Sequence, residues 1–301
     1  MKIRRRDFFK LATAGSVSLL GGTAEAGHDQ KKDFKETLGA LVDTTVCVGC
    51  RKCEYACNQA YIDSKPDKSI FEDKSVFDNP RRPVHDAYTV VNLYPNPTNI
   101  EKPYYMKIQC MHCNEPACVS ACIVGALRKH EQGPVYYDAW KCIGCRYCMV
   151  ACPFQIPAYE YHNTLDPQVR KCSFCVERVT REGKRPACIE ICPNEALTFG
   201  KRKQLLEFAR TQIATFPDRY VNHIYGEREV GGTSWMYLAG IDFIKTELPQ
   251  LTEKPIPATA ESIQHGIFKS FVPPVALYGL LGLAMFSLRK NKAGGDDDEN
   301  H

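Results

Sequence analysis

Sixteen of the 301 residues are cysteine, and they fall into four groups of four with none left over. The first is Cys47-x2-Cys50-x2-Cys53-x3-Cys57 and the third is Cys142-x2-Cys145-x2-Cys148-x3-Cys152, followed by Pro153. Both match the run that holds cubane iron–sulfur clusters. In the second, Cys110-x2-Cys113-x4-Cys118-x3-Cys122, and the fourth, Cys172-x2-Cys175-x12-Cys188-x3-Cys192-Pro193, the gap before the third cysteine is longer. A cubane has four irons, each needing one external thiolate, so the count suits four [4Fe-4S] clusters. A C-x2-C-x2-C loop turns three sulfurs inward while its N–H groups face the negative cluster, and the fourth ligand comes from elsewhere.

Two other chemistries use cysteines in this way. An even count in an exported protein can mean disulfides, although three thiols two residues apart cannot each find a separate partner without strain. The fourth group alone, two cysteine pairs twelve residues apart, also fits a zinc ribbon. A structural assembly module stapled by zinc or disulfides is therefore the rival of another class. His112, between Cys110 and Cys113, is not needed as a ligand, because a Rieske centre replaces two cysteines and this group has all four. Lys52, Lys107, Lys141, Arg146 and Lys171 lie near the cysteines, where charge can tune a potential, and none stands out from the others. Tyr104, Tyr105, Tyr136, Tyr137 and Tyr159 read as packing around the clusters. There is no nucleotide-binding glycine motif, no Ser-His-Asp arrangement and no spare cysteine nucleophile, which predicts a non-catalytic chain. A net charge of +4 is too small a basic field for nucleic acid.

The elements around the cysteines are short. Residues 89–93 and 104–109 read as strands, and 134–137 as part of a small hairpin. A short helix is expected after each last cysteine, with Gly125-Ala126-Leu127 and Asn194-Glu195-Ala196-Leu197 in equivalent places. The spacing of Leu205, Leu206, Phe208, Ala209 and Ile213 predicts an amphipathic helix over 201–215. Residues 225–257, with their Gly and Pro, read as an extended strap. The fold class is α+β, a duplicated bacterial-ferredoxin-like domain with small hairpins and short helices. The boundaries are 1–26 signal peptide, 27–200 four-cluster domain, 201–264 helix and strap, 265–290 transmembrane anchor and 291–301 disordered acidic tail.

Both ends carry targeting signals. Lys2 and Arg4-Arg5-Arg6 precede an uncharged stretch over 11–24 and an Ala24-Glu25-Ala26 cleavage site. Arg5-Arg6 with Asp7-Phe8-Phe9-Lys10 resembles the twin-arginine signal, which implies export after the cofactors are loaded. Residues 271–288 are eighteen without a charge, about 27 Å as a helix, followed by Arg289, Lys290 and Lys292. Those cations predict a single membrane span with a cytoplasmic C-terminus and the body on the periplasmic face.

Taken in this order and with these gaps, the four groups resemble the four-cluster ferredoxin subunits of the molybdopterin oxidoreductase and membrane hydrogenase families. The resemblance implies that the first group pairs with the fourth and the second with the third. The implied ligand sets are Cys47, Cys50, Cys53 with Cys192; Cys172, Cys175, Cys188 with Cys57; Cys110, Cys113, Cys118 with Cys152; and Cys142, Cys145, Cys148 with Cys122. Cys57 and Cys122 depart from the family in lacking a following proline. Tyr225-Gly226-Glu227 with Gly231-Gly232-Thr233 looks like a segment shared by the formate dehydrogenase and hydrogenase-2 beta subunits. The twin-arginine signal, Met111-His112, the run from Cys145 to Cys152 and Ser262-Ile263-Gln264-His265 look most like hydrogenase-2 ferredoxin subunits. This implies hydrogenase small and large subunits and an integral membrane quinone-reactive subunit as partners, with lipid around the last helix. A molybdenum or tungsten enzyme such as formate dehydrogenase is the alternative source of electrons.

Overall fold

The computed structural model describes residues 37–97, 99–258 and 274–293. The expected signal peptide, the segment carrying Ser262 to His265, the start of the expected membrane span and residues 294–301 of the expected acidic tail lie outside them. In chain order the body contains β1 (Leu38–Asp43), α1 (Lys52–Tyr61), β2 (Thr89–Tyr94), β3 (Tyr104–Gln109), α2 (Ala117–Ser120), β4 (Leu127–Lys129), β5 (Val135–Tyr137), α3 (Tyr147–Ala151), β6 (Ala158–Tyr159), β7 (Val169–Arg170), α4 (Val176–Thr180), α5 (Ala187–Glu190), β8 (Leu197–Lys201), α6 (Arg202–Thr215) and β9 (Trp235–Leu238). Short 3-10 turns join several of them.

The backbone of the body is a three-stranded sheet in the order β8-β1-β9, with β1 antiparallel to β8 and parallel to β9. Strands alternate their side chains, so a strand covered on both faces reads as a continuous apolar run. Ala40 and Val42 of β1, with Trp235 and Tyr237 of β9, enter the core that also contains Cys57, Cys110, Cys172 and Cys188. Leu41, Met236 and Leu238 point the other way, onto Leu205, Leu206 and Ala209 of α6. Burying each such leucine contributes roughly 1.5–3 kcal/mol. The helix is fixed at its start by Arg202, whose buried guanidinium donates to the carbonyls of Thr233 (2.8 Å), Gly226 (3.0 Å) and Glu227 (2.8 Å).

The antiparallel pair β2-β3, registered Thr89 to Gln109, adds Val90, Met106 and Ile108 to the cysteine-bearing core. Glu54 on α1 ties that hairpin to the first cysteine loop. It is buried, accepts from Arg51 at 2.9 Å and Arg81 at 2.6 Å, and takes the Val91 N–H at 2.7 Å. The hairpins β4-β5 and β6-β7 are three and two residues long and rest on a smaller core of Cys118, Leu127, Val135, Cys148 and Val169.

Two features differ from the sequence reading. Short helices precede the last cysteine instead of following it: α2, α3 and α5 carry Cys118, Cys148 and Cys188, and the chain then turns into strands at β4 and β8. C-x3-C is one helical turn, so the helix spends itself between the third and fourth cysteines. The first group is the exception, since α1 runs through Cys57 to Tyr61. Cys57 is thus followed by a helical residue, Asn58, in place of the proline that starts the turns after Cys152 and Cys192. The stretch 225–257 is built into the body as well, because β9 lies within it and all four of its residues are fully buried.

The C-terminal helix α7 (Pro274–Ala293) forms a unit apart from the body. Among the described residues no helix is long and apolar enough to cross a membrane. The first residues of the uncharged stretch, 271–273, fall outside the described helix.

Candidate metal centres

The four cysteine groups share a backbone device. The second residue inside each opening C-x2-C has positive φ: Gly49 at 61°, His112 at 49°, Gly144 at 70° and Phe174 at 58°. This left-handed residue reverses the chain so that the flanking sulfurs face one side and N–H groups turn toward them. The Gly144 N–H reaches the Cys142 sulfur at 3.4 Å and the Phe174 N–H reaches Cys172 at 3.3 Å. Glycine adopts this conformation freely. At Gly49 an added Cβ would also run into the Tyr105 ring.

His112 and Phe174 take the same conformation for reasons of packing. The His112 Nδ1 accepts the Val135 N–H at 2.8 Å, which leaves the ring proton on Nε2. Its ring meets Phe174 edge to face at 5.0 Å, and Phe174 meets Trp235 at 5.6 Å. His112 is therefore buried and positions its loop. Three further turns follow the last cysteines of the later groups, at Gly125, Gln155 and Glu195, again with positive φ.

All sixteen cysteines are free of disulfides. Burial pushes the Cys47 thiol up to about 11, partly offset by the Gly49 N–H, with Cys192 and Cys50 adding their charge. Burial raises Cys57 well above the ordinary range, and Cys172, Cys188 and Cys175 add to it. Burial likewise raises Cys113, whose charged neighbours are Cys110, Cys118 and Cys152. Cys148 is pushed up to about 11, by burial first and then by Cys142, Cys122 and Cys145. Within the fourth group, Cys192 is a charged neighbour of Cys47, and Cys172, Cys175 and Cys188 are charged neighbours of Cys57. Neighbours also link the sets: Cys188 acts on Cys53, Cys110 on Cys172, and Cys148 on Cys118.

This donor chemistry fits iron–sulfur clusters. A space walled by Cys57, Cys172, Cys175 and Cys188 lies against Lys107 and Trp235. Thiolate sulfur is the ligand that such clusters take, and iron must displace the protons that burial holds on these thiols. Among the described residues no three His, Cys, Asp or Glu side chains close on one ion-sized point.

The basic residues near the cysteines separate sharply. Lys52 and Arg146 are exposed, and Lys141 is half-buried and paired with Asp138 at 2.8 Å. Lys107 and Lys171 are buried. Lys171 donates to the carbonyls of Val135 at 2.6 Å and Cys172 at 3.0 Å. Lys129, which the sequence did not single out, donates to those of Cys113 at 2.7 Å and His112 at 3.2 Å. Burial lowers Lys129 to about 8 against the pull of Cys113, Cys110 and Cys118. Tyr61, also unremarked in the sequence, has its hydroxyl raised by burial and by the neighbouring Cys175 sulfur. Tyr137 sits in the same relation to Cys142, again with burial as the larger cause. A tyrosine or lysine carries no sequence mark of facing sulfur; only its place on a strand or helix decides that.

Residues 102–202 match the 4Fe-4S dicluster domain. A protein of Nitratidesulfovibrio vulgaris strain Hildenborough is 48% identical over 246 residues, covering 81% of this chain and 66% of its own length. The hydrogenase-2 operon protein HybA of Escherichia coli O157:H7 is 33% identical over 338 residues, covering 99% of this chain and all of that protein. The iron–sulfur subunit of the nitrate-inducible formate dehydrogenase of Escherichia coli K12 is 32% identical over 307 residues, covering 100% of this chain and 99% of that subunit. With sixteen cysteines in four groups and these relatives, the chain carries four [4Fe-4S] clusters and belongs to the family of iron–sulfur electron-transfer subunits that includes HybA and the formate dehydrogenase iron–sulfur subunits.

Proposed function

We propose that this subunit relays electrons from a nickel–iron hydrogenase, through four clusters in a row, to an integral membrane subunit that reduces quinone. The observation that carries the relay is the continuity of neighbouring cysteines across all four groups. It supports the ligand sets Cys47, Cys50, Cys53 and Cys192; Cys57, Cys172, Cys175 and Cys188; Cys110, Cys113, Cys118 and Cys152; and Cys122, Cys142, Cys145 and Cys148, in that spatial order. The clusters supply one-electron chemistry. The protein's own residues hold the sulfurs, exclude water from the inner sets and surround the iron with N–H groups and cations. The chain itself binds no substrate and is non-catalytic.

The twin-arginine motif on the chain, Met111-His112 and the run from Cys145 to Cys152 favour hydrogenase as the source of electrons. A formate dehydrogenase or another molybdenum or tungsten enzyme is the second reading, favoured by the equally complete match to a formate dehydrogenase subunit. Exposed apolar side chains around the third cysteine group, Trp140, Ile143, Tyr147 and Val150, suit a subunit better than a free carrier. Export by the twin-arginine route to the periplasmic face rests on Arg5-Arg6 and Ala24-Glu25-Ala26. The single-pass anchor rests on residues 271–288 with the cations that follow. We assign 27–200 to the cluster domain, 201–264 to its covering segment and 265–290 to the anchor.

The test is to purify the tagged chain anaerobically from membranes, measure its metals and assay H2-dependent quinone reduction. About sixteen irons per chain, nickel and H2 activity are expected. Molybdenum or tungsten with the same iron would transfer the chain to the second reading, and zinc in place of iron would overturn both.

A further inference from the structure

Three lysines are drawn into the body near the cysteines, and two of them have evident mechanical duties. Lys171 and Lys129 each bond two backbone carbonyls, clamping β5 and the second cysteine loop in place. Lys107 does not. Among the described residues its ammonium donates to one acceptor, Gln109 Oε1 at 2.9 Å, and it lies 4.5 Å from the centre of the Trp235 ring. It lines the space walled by Cys57, Cys172, Cys175 and Cys188, and Cys53 is among its charged neighbours as well.

The side chain is held there by a closed circuit of hydrogen bonds. Lys107 Nζ donates to Gln109, the Gln109 amide donates to the Tyr237 hydroxyl at 2.8 Å, and that hydroxyl donates to the Lys107 carbonyl at 2.9 Å. Lys107 and Gln109 are two apart on β3, and Trp235 and Tyr237 are two apart on β9, so each pair shares a strand face. Lys107, Gln109, Trp235 and Tyr237 are all buried. A buried ammonium with so few acceptors is costly unless negative charge lies close by.

We propose that Lys107 is a fixed positive charge shared by the two clusters of the Cys47, Cys50, Cys53, Cys192 and Cys57, Cys172, Cys175, Cys188 sets, raising the potential of both and so favouring the electron's residence on that pair. It is a positioning residue for electrons and touches no substrate. A reduced cluster carries one more negative charge than its oxidised form, and a cation at short range in a low-dielectric interior stabilises the reduced form. The inference rests on the ligand sets proposed above. Wild-type protein that lacked four clusters would break that reading; unmoved potentials in fully loaded protein would break this one.

The test is anaerobic redox titration of the full-length, cluster-loaded chain, followed by electron paramagnetic resonance, on wild type, Lys107→Met, Lys107→Arg and the exposed control Lys52→Gln. In Lys107→Met two of the four midpoints should fall, each by at least a tenfold change in the reduction equilibrium, about 59 mV for one electron. The other two should stand, as should all four in Lys52→Gln. Lys107→Arg should return both midpoints most of the way to wild type. Lys107→Met that holds wild-type iron and keeps all four midpoints overturns the proposal. If Lys107→Met fails to load iron, Lys107→Arg decides: loading with near-wild-type midpoints supports a requirement for charge. Failure of the arginine variant as well means that the site needs the lysine's shape, and the proposal falls.

Discussion

The chain has only two tryptophans, and they mark two contrasting halves of the body. Trp235 is wholly buried, at the meeting of the three-stranded sheet, the β2-β3 hairpin, Phe174 and Lys107. Trp140 is 95% exposed beside the third cysteine group. Around residues 47–57 and 172–192 the cysteines form part of a large apolar core. Around residues 118–169 a smaller core has five buried side chains, two of them cysteines. One half is a protein that contains clusters. The other depends on its clusters for cross-links that its side chains do not supply.

The largest test of that contrast is removal of iron. Anaerobic chelation followed by hydrogen exchange should leave amides of β1, β9 and α6 protected while those of 117–170 exchange freely; uniform loss would erase the contrast. In the iron-free sheet half, the Cys47 and Cys172 thiols keep their protons up to about 11 and about 12 through burial, whereas an unfolded chain releases them near 9.0. Their contribution to stability is therefore complete below pH 9.0 and lost as the pH rises through 11 to 12. A denaturation midpoint unchanged across that window would contradict the burial.

Next in size is Trp235→Ala, which should cost about 3–5 kcal/mol in thermal or chemical unfolding of the loaded protein. Gly49→Ala should come third. It forces a side chain into a left-handed position against the Tyr105 ring, at about 1–3 kcal/mol and with loss of iron from the first set. Gly144→Ala should cost less, because an added Cβ there meets the Tyr159 hydroxyl at 2.8 Å, the far end of a side chain that can move. Trp140→Ala should leave stability within about 0.5 kcal/mol, and a larger loss would show that the thin half is better packed than its exposure implies.

The two halves also differed in how far the sequence disclosed them. The cysteine groups, both strands of the β2-β3 pair, the 134–137 strand and helix 202–215 were legible, because ligand spacing and helical or alternating periodicity each leave a regular trace. The wall of the sheet half was not. Trp235-Met236-Tyr237-Leu238 is short, apolar on both faces and set among glycines, so it has no alternation to mark a strand, and its parallel partner β1 lies almost two hundred residues earlier. The left-handed turns were half-visible: Gly49 and Gly144 advertise them, whereas His112 and Phe174 occupy the same place without a glycine. Lys107 stood among five basic residues near the cysteines with nothing to set it apart, since burial is decided by what β9 brings against it.

That late strand has a consequence for how the molecule is made. β1 is among the first parts of the body to be synthesised and β9 among the last, and the two are adjacent in the sheet. A chain still on the ribosome therefore leaves one face of its cluster-bearing core open until residue 238 has emerged. Trp235, arriving with that strand, is the side chain that lies against Phe174 and Lys107. A product truncated before that strand would lack the Trp235 wall beside the space lined by Cys57, Cys172, Cys175 and Cys188.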